Sequence, residues 1–154
     1  MSIIFEFFSG VGGFHQVLSS LNTTYNNLKI KKILPFDVNL NANSVYCHNF
    51  QISPFTNTLE RLKLQEYNRL CENNLDKNSN IIWFMSPPCQ PFTSLGNQLD
   101  LNDDRSAGFR NLIENILSNT RYPPEYLLLE NVKNFEVKIY RICLVFKCLV
   151  YFVK

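Results

Sequence analysis

The sequence predicts an α/β protein built on a parallel sheet, and three observations carry that reading. Strand-like runs recur at Ile3–Phe8, Lys32–Asp37, Ile81–Ser86 and Tyr126–Glu130. Segments of helical periodicity alternate with them, as βαβ units require. The runs end in turn or breaker residues, with no internal repeat to suggest another architecture. The 154 residues fit one domain, and a composition 45% hydrophobic and 14% aromatic supplies a core, which argues against global disorder.

Ile3-Ile4-Phe5-Glu6-Phe7-Phe8 reads as a buried parallel strand, because strands covered on both faces are apolar throughout rather than alternating. Ser9–Gly13 is a glycine-rich turn, and Phe14, Val17, Leu18 and Leu21 then recur at helical spacing. Lys32–Asp37 is a second strand whose early part Pro35 weakens. Asn41–Phe50 reads as a helix with Ala42, Val45 and Tyr46 on one face. A weak third strand is expected over Phe55–Leu59, a polar helix over Leu62–Leu75 and a polar loop over Asn73–Asn80. Ile81–Ser86 is a strong buried strand that Pro87-Pro88 stops. Pro91–Arg105 reads as an irregular loop, Phe109–Leu117 as a helix and Tyr126–Glu130 as the last clear strand.

Charge excludes little. The net charge is +2 and only 18% of residues are charged; Asn22, Asn26, Asn27, Asn39, Asn41 and Asn43 stand where charges often do. Such a balance permits nucleic-acid binding without arguing for it. Arg105, Arg110 and Lys133 could meet phosphates, although a solvated surface accounts for each. Cys47, Cys71, Cys89, Cys143 and Cys148 are odd in number and include no Cys-x-x-Cys pair. Neither a disulfide framework nor a zinc cluster is expected, and a reducing nuclear or cytoplasmic compartment fits best. Glu6 interrupts the first apolar run and no basic region precedes it, so no signal peptide is read there. Ile139–Val153 carries Arg141 and Lys147 and is too short and charged for a membrane span.

Three constellations carry candidate chemistry. Phe8-Ser9-Gly10-Val11-Gly12-Gly13-Phe14 follows the first strand, where a ligand can lie against glycine backbone; a tight βα connection is the alternative. Asp37 ends the second strand, where an acidic residue can bond ribose hydroxyls or cap the next helix. Ser86-Pro87-Pro88-Cys89-Gln90-Pro91-Phe92 fixes a cysteine between prolines, and a nucleophile needs that fixed placement. Glu130 in Leu129-Glu130-Asn131-Val132 emerges from an apolar strand tip, where a carboxylate needs a partner or a job; a helix cap is again the alternative. Parallel strands put their carboxyl ends together, so all three constellations converge on one edge.

These motifs resemble those of the cytosine-C5 methyltransferase family. Phe8–Gly13 looks like its cofactor motif, Ser86–Phe92 like its catalytic loop and Glu130-Asn131-Val132 like its Glu-Asn-Val motif. Phe36–Asn39, Thr58–Glu60, Phe84–Ser86 and Tyr126–Phe135 look most like the branch that methylates a cytosine in the anticodon loop of aspartate tRNA. The resemblance implies a Rossmann-like fold and S-adenosylmethionine as cofactor, contacted by Gly10, Val11, Gly12, Asp37, Leu59, Glu60 and Ser86. It implies that the Cys89 thiolate adds to cytosine C6, that Glu130 hydrogen-bonds or protonates N3, and that C5 takes the methyl group. A base then removes the C5 proton and Cys89 is eliminated. Asn131 is expected to order the end of the Glu130 strand. The implied partner is nucleic acid, tRNA before DNA, with the target base flipped or unpaired; neither a metal nor a membrane is implied.

The resemblance runs from Ile3 to Phe135, so residues 1–136 are expected to be the N-terminal part of the catalytic domain. Val137–Lys154 is expected to be a divergent apolar tail. The family's later arginine motif, target-recognition region and final helix are not visible, which suggests a C-terminally truncated chain, as from an early stop. A cofactor-binding fragment without activity is therefore the competing expectation. The Tyr126–Glu130 strand would then have an open edge. The tail either adds a strand there, as its β-favouring composition allows, or is a sticky extension.

Overall fold

The computed structural model describes residues 1–25, 29–89, 103–131 and 149–153. Five strands, β1 (Ser2–Phe7), β2 (Ile30–Phe36), β3 (Asn80–Met85), β4 (Tyr126–Glu130) and β5 (Leu149–Val153), form one sheet in the order β2-β1-β3-β4-β5. Every pairing is parallel. Helices α1 (Gly13–Tyr25), α2 (Leu40–Phe50) and α3 (Leu64–Asn74) join the first three strands. A fourth helix, α4, starts as an α-helix at Ala107–Arg110 and continues as a π-helix at Asn111–Leu117.

The strands are apolar because both sheet faces are covered. Side chains alternate between the faces along each strand. Ile3, Phe5 and Phe7 enter a large cluster with Leu34, Phe36, Tyr67, Trp83, Met85, Phe109, Leu112, Leu127 and Leu129. Ile4, Ile33 and Phe84 enter a smaller one with Leu18. In the large cluster Phe7 and Tyr67 each meet Trp83 edge-on, and the Trp83 indole N–H donates to the Tyr67 hydroxyl at 3.0 Å. That bond satisfies a donor with no solvent to turn to.

Pro35 is tolerated because β2 is an edge strand. Its carbonyl accepts from Phe55 N–H on the outer side, so its own nitrogen faces away from β1 and costs no ladder bond. The expected third strand at Phe55–Leu59 does not form. Phe55 makes a single parallel bridge to Phe36, and the chain then turns through a short 3-10 segment at Leu59–Arg61. Pro54 and the polar run Thr56-Asn57-Thr58 provide no alternating apolar face to hold a strand.

The helical faces also differ from expectation. Leu18 is buried, but Val17 (54% exposed) and Leu21 (37% exposed) are not. On α2, Tyr46 and Asn43 are buried whereas Val45 is exposed. The α2 cap is Asn39, whose side chain accepts from Asn41 N–H and Ala42 N–H, so Asp37 is not the capping residue. At the other end of the sheet the tail does add a strand: β5 pairs with β4 from Tyr126↔Leu149 to Glu130↔Val153 and covers its edge. The expected loop at Pro91–Arg105 lies outside the described residues up to residue 102; Asp104–Ser106 is a 3-10 turn.

Candidate active site

The chain leaves β1 for β2 on one side and later places β3 on the other side of β1. The carboxyl ends of β1 and β3 therefore flank the point where the strand order reverses, and a crevice opens there. Two cavities occupy it. One of about 470 Å³ is lined by Phe8, Asp37, Val38, Ser86, Pro87, Pro88, Cys89, Glu130 and Asn131. The other, about 280 Å³, shares Phe8, Asp37, Val38 and Pro88 and adds Thr58, Leu59, Glu60, Asp104, Arg105 and Gly108.

Each lining group is held by the backbone around it. Phe8 has a left-handed φ of 58°, rare for a bulky residue, and this turns the chain out of β1. Asp37 uses both oxygens: one accepts from Gly10 N–H at 2.8 Å and the other from Asn39 N–H at 2.8 Å. It thus clamps the glycine turn to the end of β2. The Ser86 hydroxyl donates to the Phe8 carbonyl at 2.9 Å, tying the ends of β1 and β3. The Asn131 amide donates to the Pro87 carbonyl at 2.8 Å, tying the Glu130 end of β4 to the turn that carries Cys89.

The structure brings Asp37, Ser86, Cys89 and Glu130 to one cavity and Asp37, Leu59 and Glu60 to the other. Gly10, Val11 and Gly12 line neither. Gly10 reaches the site through Asp37, and Val11 is exposed. Gly12, at φ +94°, faces α2: a Cβ there would fall 2.3 Å from the Phe50 ring and 2.9 Å from Tyr46. Its glycine requirement comes from packing and φ. Glu130 is exposed, so the desolvation cost expected of a carboxylate at an apolar strand tip does not arise. A helix following it, like Lys133, lies outside the described residues. Cys89 is half-buried with a free thiol, as are Cys47 and, fully buried, Cys71. Arg105 is occupied by a bidentate pair with Asp103 at 2.8 and 2.7 Å, and its bonds hold the Asp103 carboxyl down to about 2.

Phe8 and Val38 also line the site, although nothing in the motifs that contain them marks them as lining residues. Thr58 lines it too, and its hydroxyl oxygen is buried without a partner among the described residues. A nucleoside fits this donor set. Carboxylates Asp37 and Glu60 can accept from ribose hydroxyls, Phe8, Val38 and Leu59 offer apolar surface to a base, and Thr58 has a free hydrogen-bonding site. Among the described residues no group of three or more His, Cys, Asp or Glu could hold a metal, and no helix is long and apolar enough to cross a membrane.

Comparison with known proteins points the same way. The profile of a family described as C-5 cytosine-specific DNA methylase matches residues 2–146. A human tRNA (cytosine(38)-C(5))-methyltransferase is 38% identical over 135 residues, covering 87% of this chain and 31% of the relative. A Dictyostelium discoideum DNA (cytosine-5)-methyltransferase is 36% identical over 135 residues, covering 88% and 32%. The solved structure of the Entamoeba histolytica methyltransferase EhMeth superposes with a TM-score of 0.76 at 30% identity, covering 94% of this chain and 44% of that one. The chain thus spans about a third of the length of the curated relatives it matches.

Proposed function

Because the chain belongs to the C-5 cytosine-specific DNA methylase family, we propose that it serves methyl transfer from S-adenosylmethionine to carbon 5 of a cytosine in nucleic acid. The observation that carries the reading is the single cavity lined by Cys89, Glu130 and Asp37. S-adenosylmethionine would supply the methyl group. Asp37, Leu59 and Glu60 would hold its nucleoside, the turn at Gly10, Val11 and Gly12 would lie against it, and Ser86 would border it from β3.

The chain's own residues divide the chemistry on the base. The Cys89 thiolate forms a bond to C6 while Glu130 delivers a proton to N3, so the ring's electron pair comes to rest at C5. After C5 has bonded the methyl carbon, loss of the C5 proton to a base drives out the Cys89 thiolate, and N3 returns its proton to Glu130 as the neutral ring is restored. Pro87 and Pro88 keep the thiol in one place, and Asn131 keeps Glu130 beside it. The target cytosine must leave its stack to reach the thiol. Residues 1–136 would be the N-terminal part of the catalytic domain and 137–154 a divergent tail that extends its sheet.

The name of the human relative supports tRNA as substrate, and that of the Dictyostelium relative supports DNA. The motif wording around Asp37 and Glu130 favours tRNA. The short coverage of both relatives supports a second reading, a cofactor-binding portion whose target recognition is supplied by another segment or chain. Calorimetry with S-adenosylmethionine on the purified chain comes first, with Asp37→Ala as control. A folded chain that binds nothing sinks both readings. Binding lost in the control supports a cofactor site. Incubation with tRNA and with DNA carrying 5-fluorocytosine, which has no C5 proton to lose, then separates them. A stable adduct that vanishes in Cys89→Ala supports the enzyme; cofactor binding without any adduct leaves only the binding portion.

A further inference from the structure

Glu6 is the penultimate residue of β1, fully buried, with Pro35 and Phe84 as its neighbours on the flanking strands. One carboxyl oxygen accepts from the Tyr46 hydroxyl of α2 at 2.7 Å. The other accepts from the backbone N–H of His15, in the first turn of α1, at 3.3 Å. The His15 ring nitrogen Nδ1 lies 2.6 Å from the same Tyr46 hydroxyl, and the ring stacks on Phe50 at 4.0 Å. No step of the proposed reaction uses these groups. They nevertheless sit directly behind the glycine turn, since Gly12 packs on Tyr46 and Phe50.

The three groups admit two complete hydrogen-bond arrangements. With Glu6 ionised, Tyr46 donates to it and the His15 ring donates to Tyr46 from Nδ1. With Glu6 protonated, Glu6 donates to the Tyr46 oxygen, and the Tyr46 hydrogen turns to an unprotonated Nδ1. The two differ by one proton on Glu6 and by the tautomer of His15. Only the ionised form makes a charge-assisted bond to His15 N–H, which pulls the start of α1 and the glycine turn onto β1.

We propose that Glu6, Tyr46 and His15 form a positioning relay that couples the protonation of Glu6 to the geometry of the glycine turn, and so to cofactor affinity. The inference rests on the reading of this crevice as an S-adenosylmethionine site. Desolvation raises the Glu6 carboxyl to about 7, against the opposing bonds from Tyr46 and His15, so the relay switches within a physiological range. Desolvation also lowers the His15 pKa, which favours the neutral ring that both arrangements require. Tyr46 and His15 are the titratable groups facing Glu6 from α2 and α1; Pro35 and Phe84, from β2 and β3, do not titrate.

The test is calorimetric affinity for S-adenosylmethionine across a pH series, in the wild-type chain, Glu6→Gln and Tyr46→Phe. Wild type is expected to bind about fivefold more tightly at about pH 8 than at about pH 6, a modest coupling for linked sites. Glu6→Gln, isosteric and unable to ionise, is expected to give a flat profile. Tyr46→Phe removes a bond that favours the carboxylate, so its midpoint should move to higher pH. A flat wild-type profile, or an unchanged slope in Glu6→Gln, overturns the relay while leaving the cofactor site intact. A folded wild-type chain that binds no cofactor at any pH overturns the site and the relay together. Should Glu6→Gln fail to fold, Tyr46→Phe decides alone: a midpoint that stays put overturns the proposal.

Discussion

The two faces of the sheet are built differently. One holds a dry aromatic cluster around Phe5, Phe7, Trp83 and Tyr67, sealed by α3 and α4. The other has a smaller buried cluster of Ile4, Leu18, Ile33 and Phe84 among the described residues, then admits a carboxylate at Glu6 and leaves Val17, Leu21 and Val45 exposed. The same strand β1 feeds both faces through alternate residues. Hydrophobic burial stabilises in proportion to area, so the aromatic face carries most of the fold's stability. The α1/α2 face gives up part of that stability to seat polar groups behind the glycine turn.

Truncating the aromatic face should hurt most. Trp83→Ala removes a fully buried ring together with the N–H that donates to the Tyr67 hydroxyl oxygen, and should cost about 3–5 kcal/mol in urea unfolding. If Leu18→Ala on the opposite face costs as much, the contrast is broken. Next comes Gly12→Ala, which meets Phe50 and imposes a positive φ on alanine, for roughly 1–3 kcal/mol. A smaller, graded effect concerns pH. The Glu6 carboxyl is raised from 4.5 to about 7 in the fold, so the native state binds the extra proton between those values. Stability should therefore fall as pH rises through that window and level off above it, with a slope no steeper than ~1.4 kcal/mol per pH unit. Glu6→Gln should remove that component, as denaturant midpoints across the series would reveal. Val17→Ser should change least, within about 0.5 kcal/mol, because the side chain is already in solvent.

The aromatic face was legible in the sequence because its strands are continuous apolar runs, and Ile81–Ser86 and Tyr126–Glu130 fall within a residue of the observed β3 and β4. The convergence of Asp37, Cys89 and Glu130 was legible too, since parallel order alone puts their strand ends side by side. The other face resisted. Helical periodicity at Phe14, Val17, Leu18 and Leu21 marks a stripe, but not that only Leu18 is fully buried along it. Phe55–Leu59 has one residue that bridges, too few to declare itself a bridge rather than a strand. Glu6 looked like an interruption in an apolar run, because its partners His15 and Tyr46 lie 9 and 40 residues away. No local pattern ties them together.

The bond from the Asn131 amide to the Pro87 carbonyl bridges the tips of β3 and β4. The ladder between those strands pairs residues as far as Met85↔Leu129, and this bond ties the chain just past it on both. Cys89 and Glu130 thus lie two residues and one residue from a shared anchor. On the proposed reading of Cys89 and Glu130 as the groups that act on the base, a search for variants with altered ring tolerance would therefore include Asn131.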